Sequence, residues 1–194
     1  MNNLKMQKSI QPRGVKRVKR NLKFGFTLIE LLVSVFIIAL ITGLFLADYH
    51  SINKRQKLIV AAQKMASDIK LAQQFSLGSK KHNGSTPSEG WGVYVNGSQD
   101  GSYIIFADND GIGGYEYTAG LNEEFQTVNL PDGVVISSIL VNGAPANEVN
   151  IVFLQPDPTT FINNDSAANA QIVLSNGNTT KTVKVNSLGL VDVN

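Results

Sequence analysis

The chain has 194 residues, and its 17 basic and 15 acidic side chains nearly balance. It contains no cysteine, which excludes disulfide bonds and thiol catalysis. The charges are unevenly placed, because eight Lys and Arg residues and no acid precede residue 26. Residues 26–194 therefore carry nine bases against 15 acids, a formal charge of −6, and the basic character is confined to the first segment.

An apolar segment follows the basic one. Residues 26–47 are apolar or small and weakly polar, apart from Glu30, and a bilayer core needs about 20 such residues. A carboxylate in a membrane span costs on the order of 2.5 to 3.5 kcal/mol at the helix centre, so Glu30 is a candidate functional residue. Basic residues beside a span stay in the cytoplasm. We expect residues 1–25 inside the cell and the remainder outside the cytoplasm.

The junction between these segments resembles the type IV prepilin and pseudopilin signal, on the strength of Gly25, Phe26 and Glu30. The resemblance implies that a prepilin peptidase cuts after Gly25 and that Phe26 is then N-methylated. It also implies that Glu30 pairs with a terminal amine when subunits stack into a filament with other pilins. Two buried opposite charges compensate each other, whereas one alone is penalised. A plain signal anchor is the alternative, and it leaves this spacing unexplained.

The next segment continues the helical pattern. Apolar residues recur at intervals of three and four, no proline interrupts residues 26–77, and Gly78 is a suitable helix stop. The pattern predicts one helix over residues 26–77. Its first half, residues 26–47, is the membrane or filament-core part, and residues 48–78 are the amphipathic half, which we expect to pack on the chain's own sheet rather than on a partner helix. The apolar stripe comprises Leu58, Ala62, Met65, Ile69 and Ala72.

Residues 79–194 have the pattern of short strands separated by Gly, Asn, Asp and Pro clusters. One long helix followed by many strands predicts an α+β, pilin-like fold, with the helix laid across an antiparallel sheet or pair of sheets. The order of the strands, with a turn over residues 106–111 and an end over residues 187–191, also resembles pseudopilin H and FimT-like minor pilins. The predicted strands are 92–95, 103–107, 125–129, 134–141, 150–154, 171–174, 181–185 and 190–193.

One acidic loop suggests an ion site. Asp108 and Asp110 are candidate calcium ligands, because hard cations take several carboxylate and carbonyl oxygens. The spacing fails the EF-hand pattern at Ile112, and Asp-Asn-Asp-Gly is also ordinary turn chemistry. The sequence therefore favours a structural turn and predicts neither a metal nor a cofactor.

No group of residues has the spacing of a catalytic site. His50 and His82 lack a metal-ligand neighbour at helical or short-loop spacing, and we expect both side chains to be solvated or interfacial. The sequence therefore predicts that the chain is not an enzyme.

Nucleic-acid binding is the main alternative function, because FimT-like minor pilins include DNA-uptake subunits with basic residues near the C-terminus. This chain has Leu190, Val191 and Asp192 there, and its charge of −6 after residue 25 opposes phosphate contacts. The remaining candidates are Lys80 and Lys81, although a solvated loop explains them as well. We therefore predict a structural minor pilin or pseudopilin of the bacterial inner membrane. A DNA-capturing or adhesive subunit on the same kind of filament is the alternative.

Overall fold

The structure is a computed structural model that describes residues 25–98, 101–109, 111, 114–156 and 159–194, without the side chains of residues 46–51. Within these residues, the secondary structure comprises one helix and ten strands. The elements are α1 (Leu28–Leu77), β1 (Gly90–Asn96), β2 (Ser102–Asp108), β3 (Glu124–Asn129), β4 (Val135–Val141), β5 (Ala144–Ala146), β6 (Glu148–Phe153), β7 (Thr160–Ile162), β8 (Ala170–Ser175), β9 (Thr180–Val185) and β10 (Val191–Val193).

The chain divides into two units, which meet within α1 at Leu44 and Phe45. In the described part of the first unit, every side chain from Gly25 onward is exposed. The segment Leu28–Phe45 is long and apolar enough to cross a membrane. Its hydroxyl groups are satisfied within the helix, since Ser34 Oγ donates to the Glu30 carbonyl at 2.7 Å and Thr42 Oγ1 donates to the Ile38 carbonyl at 2.7 Å. These bonds make both side chains compatible with a lipid environment.

The second unit contains two antiparallel five-stranded sheets. The strand order is β3-β2-β1-β6-β7 in the first sheet and β10-β9-β8-β4-β5 in the second. All strand pairs are antiparallel. A bulge interrupts the β2–β3 pair between Ile105 and Phe106, and another interrupts the β4–β8 pair between Ile136 and Ser138. The α+β, pilin-like fold predicted from the sequence is therefore confirmed.

The core of the second unit lies between α1 and the two sheets. The predicted apolar stripe is buried in full, and Ala61 and Ala66 join it. The sheets contribute alternate residues, as in β8, where Ala170, Ile172 and Leu174 are at most 1% exposed. The expectation that this half of the helix packs on its own sheets is confirmed.

Two polar contacts join α1 to the first sheet. In the first, Tyr103 Oη donates to Asp68 Oδ2 at 2.6 Å. Within the helix, Lys64 also forms an ion pair with this carboxylate. Burial and the neighbouring Asp68 carboxylate raise the pKa of Tyr103, so its hydroxyl remains a donor. Near the end of the helix, Ser76 Oγ donates to the Phe153 carbonyl at 2.5 Å. These bonds connect α1 to the first sheet at two positions, Asp68 and Ser76, that are about two turns apart.

One glycine of the first sheet is required by packing. A Cβ atom at Gly92 would lie 2.8 Å from the Phe106 ring and 2.8 Å from the Ile151 carbonyl oxygen. Phe106 is completely buried and its ring lies 5.5 Å from that of Tyr117, in the loop that follows β2. The absence of a side chain at Gly92 therefore leaves room for the buried Phe106 ring against β1.

The elements differ in detail from those predicted. The helix begins at Leu28 rather than at residue 26, because Thr27 caps it. All eight predicted strands are present within two residues at each end, and the sequence missed β5 and β7. Each of these two strands has only three residues, too few to show an alternating pattern.

Candidate functional site

The candidate site of the first unit is the start of α1, where Gly25, Phe26 and Glu30 all lie at the surface. Thr27 and Glu30 form a reciprocal pair of hydrogen bonds there. The Glu30 amide donates to Thr27 Oγ1 at 3.3 Å, and the Thr27 amide donates to Glu30 Oε2 at 3.4 Å. This arrangement is a capping box, which satisfies two of the backbone donors that a helix start leaves without partners.

The capping box gives Glu30 a structural role that the sequence reasoning missed. The signal was available, because Thr27 and Glu30 have the Ser/Thr-x-x-Glu spacing before an apolar run. A carboxylate in the first turn is also stabilised by the partial positive charge of the helix N-terminus. The cost of placing Glu30 beside an apolar segment is therefore partly offset within the chain.

The position of Phe26 follows from the same geometry. It immediately precedes the capping residue Thr27, and its side chain is 79% exposed. From Leu28 to Phe45 the helix is apolar and exposed. An amine at Phe26 would therefore stand at the start of a hydrophobic helix, about one turn from the Glu30 carboxylate.

This combination of residues has a counterpart among protein families. Residues 20–46 match the prokaryotic N-terminal methylation motif. The match includes Gly25, Phe26 and Glu30 and almost the whole exposed apolar segment. It supports a type IV prepilin-like or pseudopilin-like protein that a prepilin peptidase processes, that assembles with other pilins and that one helix anchors in the membrane.

The motif covers the N-terminal part alone. No curated protein and no solved structure matches the chain. The finer resemblance to pseudopilin H and FimT-like minor pilins stays a prediction, and the methylation motif does not reach the β-rich unit on which it depends.

The acidic loop of the second unit is partly described. Asp108 is buried, and its Oδ2 accepts a hydrogen bond from the Glu116 amide at 3.2 Å. Glu123 is also buried and accepts from the amides of Thr118, at 2.8 Å, and Asn109, at 3.3 Å. Asp110 lies outside the described residues. Both buried carboxylates therefore organise the loop backbone, and within the described residues no three His, Asp or Glu side chains form a metal-binding group.

Lys80 is partly exposed, and its ammonium group lies against three aromatic rings, here called the aromatic box. Its Nζ is 3.4 Å from the centroid of Phe75, 4.1 Å from that of Phe125 and 5.3 Å from that of Trp91. Partial burial lowers the pKa of Lys80. A solvated loop explained Lys80 from the sequence, and the structure adds contacts with three rings from α1, β1 and β3. Lys81 is exposed.

The end of α1 explains how Lys80 reaches this box. Ser79 has a φ of 46°, the Ser79 amide donates to the Ser76 carbonyl at 2.9 Å, and the Lys80 amide donates to the Phe75 carbonyl at 2.9 Å. This pair of bonds is a Schellman motif, in which the side chains corresponding to Lys80 and Phe75 commonly touch. The helix therefore ends at Leu77, as predicted, but the left-handed residue that follows is Ser79 and not Gly78.

His82 also differs from the prediction. It is 9% exposed, its Nε2 lies 2.9 Å from the Asn122 carbonyl oxygen, and its ring is 5.8 Å from that of Trp91. His82 is therefore part of the packing around the aromatic box and is not solvated. The side chain of His50 lies outside the described residues.

Three tyrosines of the second unit pack on other side chains. Tyr103 belongs to the core, and the Tyr115 ring lies 4.0 Å from that of Phe161. Tyr117 packs on Tyr94 and Phe106. These aromatic side chains therefore serve packing within the second unit.

Proposed function

We propose that this chain is a minor pilin or pseudopilin subunit, cut between Gly25 and Phe26, methylated at Phe26 and assembled into a type IV pilus or a type II secretion pseudopilus. The single observation that carries the proposal is the match of residues 20–46 to the N-terminal methylation motif. In this proposal the chain has a structural role and catalyses no reaction.

Before assembly, the subunit lies in the bacterial inner membrane with residues 1–25 in the cytoplasm and residues 48–194 outside it. The excess of Lys and Arg in residues 1–25 supports this orientation. Exposure of every described side chain from Gly25 to Phe45 supports a segment that lipid covers first and neighbouring subunits cover later. The amphipathic half of α1 and the two sheets then form the outer part of the filament.

Glu30 pairs with the terminal amine of a neighbouring subunit in this mechanism. The ammonium group and the carboxylate would otherwise both be buried among apolar side chains, where a lone charge is strongly penalised. Pairing is favourable only when the neighbour has the correct axial position. Glu30 therefore sets the register between subunits in addition to capping its own helix.

Processing is tested by expressing the chain with and without a prepilin peptidase and measuring the N-terminus of the product by mass spectrometry. We expect a mature chain that begins at Phe26 and carries one added methyl group on its amine. Gly25→Ala serves as the matched variant, and we expect it to remain uncut. A chain that stays at full length with an active peptidase would return the segment to a plain membrane anchor.

The role of Glu30 is tested by three variants that separate charge from capping. Glu30→Gln keeps the capping box, which accepts Gln at this position, but removes the charge. Thr27→Val removes the capping oxygen and leaves the charge, and Glu30→Ala removes both. We expect the two Glu30 variants to be processed but absent from sheared filaments, and Thr27→Val to assemble. Assembly of Glu30→Gln at the unmodified level would show that capping alone explains Glu30.

A further inference from the structure

The outer face of the second sheet carries a polar grid at the end formed by β4, β8, β9 and β10. Strand register places Gln171, Lys184 and Asp192 side by side on three neighbouring strands. Asn142 and Asn169 form the adjoining row, since the Asn142 amide donates to the Asn169 carbonyl at 2.9 Å. Asn186 continues that row, and its amide donates to the Leu190 carbonyl at 3.2 Å.

These side chains line a groove of about 640 Å³. Sites for small ligands commonly enclose about 300 to 1,000 Å³. Leu190 lies at the edge of the groove and is 65% exposed. The groove therefore combines a polar surface with one exposed apolar side chain.

The carboxamides of the groove retain much of their hydrogen-bonding capacity. Among the described residues, the side chains of Gln171 and Asn169 make no hydrogen bond. Asn142 and Asn186 use only their oxygens. The Asn142 oxygen accepts from the Asn169 amide at 2.9 Å, and the Asn186 oxygen accepts from the amides of Leu188 at 3.0 Å and Leu190 at 2.9 Å. Each carboxamide nitrogen supplies two donors, so the nitrogens of the four carboxamides remain available to a ligand.

The charges of the groove compensate each other. Lys184 and Asp192 are neighbours across the β9 and β10 ladder. The Asn194 carboxamide lies between them, with its oxygen 3.0 Å from Lys184 Nζ and its nitrogen 3.1 Å from Asp192 Oδ2. One base and one acid give the groove no net charge, which does not favour a polyanion such as nucleic acid.

We propose that this groove binds a neutral oligosaccharide. Neighbouring hydroxyl groups of a sugar both donate and accept. The free carboxamides of Gln171 and Asn169 offer both functions, and those of Asn142 and Asn186 offer their donors. The ordered row of carboxamides matches successive hydroxyl pairs, and Leu190 contacts the apolar face of a sugar ring. The inference concerns the β-rich unit alone and does not depend on filament assembly.

The test uses the full-length chain in lauryldimethylamine oxide, a detergent without a sugar headgroup. Calorimetric titrations with cellohexaose, maltohexaose and chitohexaose probe neutral oligosaccharides. A heparin hexasaccharide and a single-stranded oligodeoxythymidine probe polyanions. We expect at least one neutral oligosaccharide to bind and both polyanions to fail.

Two variants locate the binding, and a third serves as the matched control. Gln171→Ala and Lys184→Ala remove groove side chains, and each is expected to weaken binding about tenfold, since about 1.4 kcal/mol of lost contact is tenfold in affinity. Thr182→Ala changes the same face of β9 outside the groove and is expected to bind as the unmodified chain does. Fluorescence of Trp91, the sole tryptophan, checks that each variant is folded.

Three results would overturn the inference. They are failure of all three neutral oligosaccharides to bind, binding that both groove variants retain in full, and binding confined to the polyanions. If a groove variant loses the Trp91 signal, it is unfolded and its loss of binding is not counted. The titration is then repeated with Gln171→Glu, which keeps the size of the side chain and removes its donors.

Discussion

Removal of the Tyr103 hydroxyl tests the polar connection between α1 and the first sheet. Tyr103 Oη donates to Asp68 Oδ2 at 2.6 Å, and both residues are 2% exposed. Tyr103→Phe keeps the ring and leaves one oxygen of a buried carboxylate without its donor, while Lys64 remains bound to the other oxygen. Hydrogen bonds to charged groups contribute about 1.5 to 3 kcal/mol. We therefore expect the free energy of unfolding to fall by about 2 kcal/mol.

The assay is urea unfolding of the full-length chain in detergent, followed by the fluorescence of Trp91. This residue is the sole tryptophan and is completely buried in the second unit, so its emission reports the unfolding of that unit. With a urea dependence of about 2 kcal/mol per molar, the loss corresponds to a midpoint lower by about 1 M.

Tyr115→Phe is the matched control. The Tyr115 hydroxyl makes no hydrogen bond within the described residues, and its ring stays on Phe161. We expect a change within about 0.5 kcal/mol. The reasoning is refuted if the two variants have equal midpoints, or if Tyr103→Phe is as costly in an Asp68→Asn background as in the unmodified chain, because the hydroxyl and the carboxylate then do not interact.

Four further predictions use the same unfolding assay. Gly92→Ala forces a Cβ against the Phe106 ring and should cost about 3 kcal/mol, and a midpoint within error of the unmodified chain would contradict this packing. Ser79→Gly removes the backbone strain of a serine in the left-handed conformation but also gives the unfolded chain more freedom, so the free energy of unfolding should rise by about 0.5 kcal/mol in total. A lower midpoint would argue against the Schellman motif. Lys80→Met keeps the stem but removes the ammonium from the aromatic box and should cost about 0.5 to 1 kcal/mol, whereas a stabilised variant would show that desolvation outweighs the cation–π contacts. The pKa of Tyr103 is raised on folding, so the unfolded chain loses this proton first as pH rises. The free energy of unfolding should therefore fall above about pH 10, and it should fall more steeply than in Tyr103→Phe. Parallel pH profiles of the two proteins would exclude this cause.

Much of the architecture could be predicted from local pattern. The apolar stripe of α1 and the alternation in strands such as β8 each record which face is buried, and burial is decided by side chains close together in the sequence. The two missed strands and the position of the left-handed residue after α1 depend on other information. β5 and β7 are defined by their partners β4 and β6, and the turn after α1 places its left-handed residue at Ser79 rather than at the glycine beside it.

The roles of individual polar residues were harder to predict. From the sequence, Asp68 is indistinguishable from the other charged residues of an amphipathic helix. Its hydrogen-bond partner Tyr103 lies 35 residues later in the chain. The sequence indicates a basic loop at Lys80 and His82. In the structure Lys80 contacts rings from α1, β1 and β3, and His82 contacts rings from β1 and β3. A hydrogen bond or ring contact between distant segments leaves no periodic trace in the sequence.

The sequence by itself determined the prepilin-like N-terminal segment, because a cleavage and methylation signal is read as a short linear peptide with an apolar run behind it. It also determined the α+β class, since helical and strand periods are local properties. The tertiary structure alone decided that Lys80 is held among aromatic rings and that Asn142, Asn169, Gln171 and Asn186 share one groove. Apart from Asn169 and Gln171, which are neighbours at the start of β8, these residues come from different strands or strand ends, and strand pairing and packing fix the distances between them.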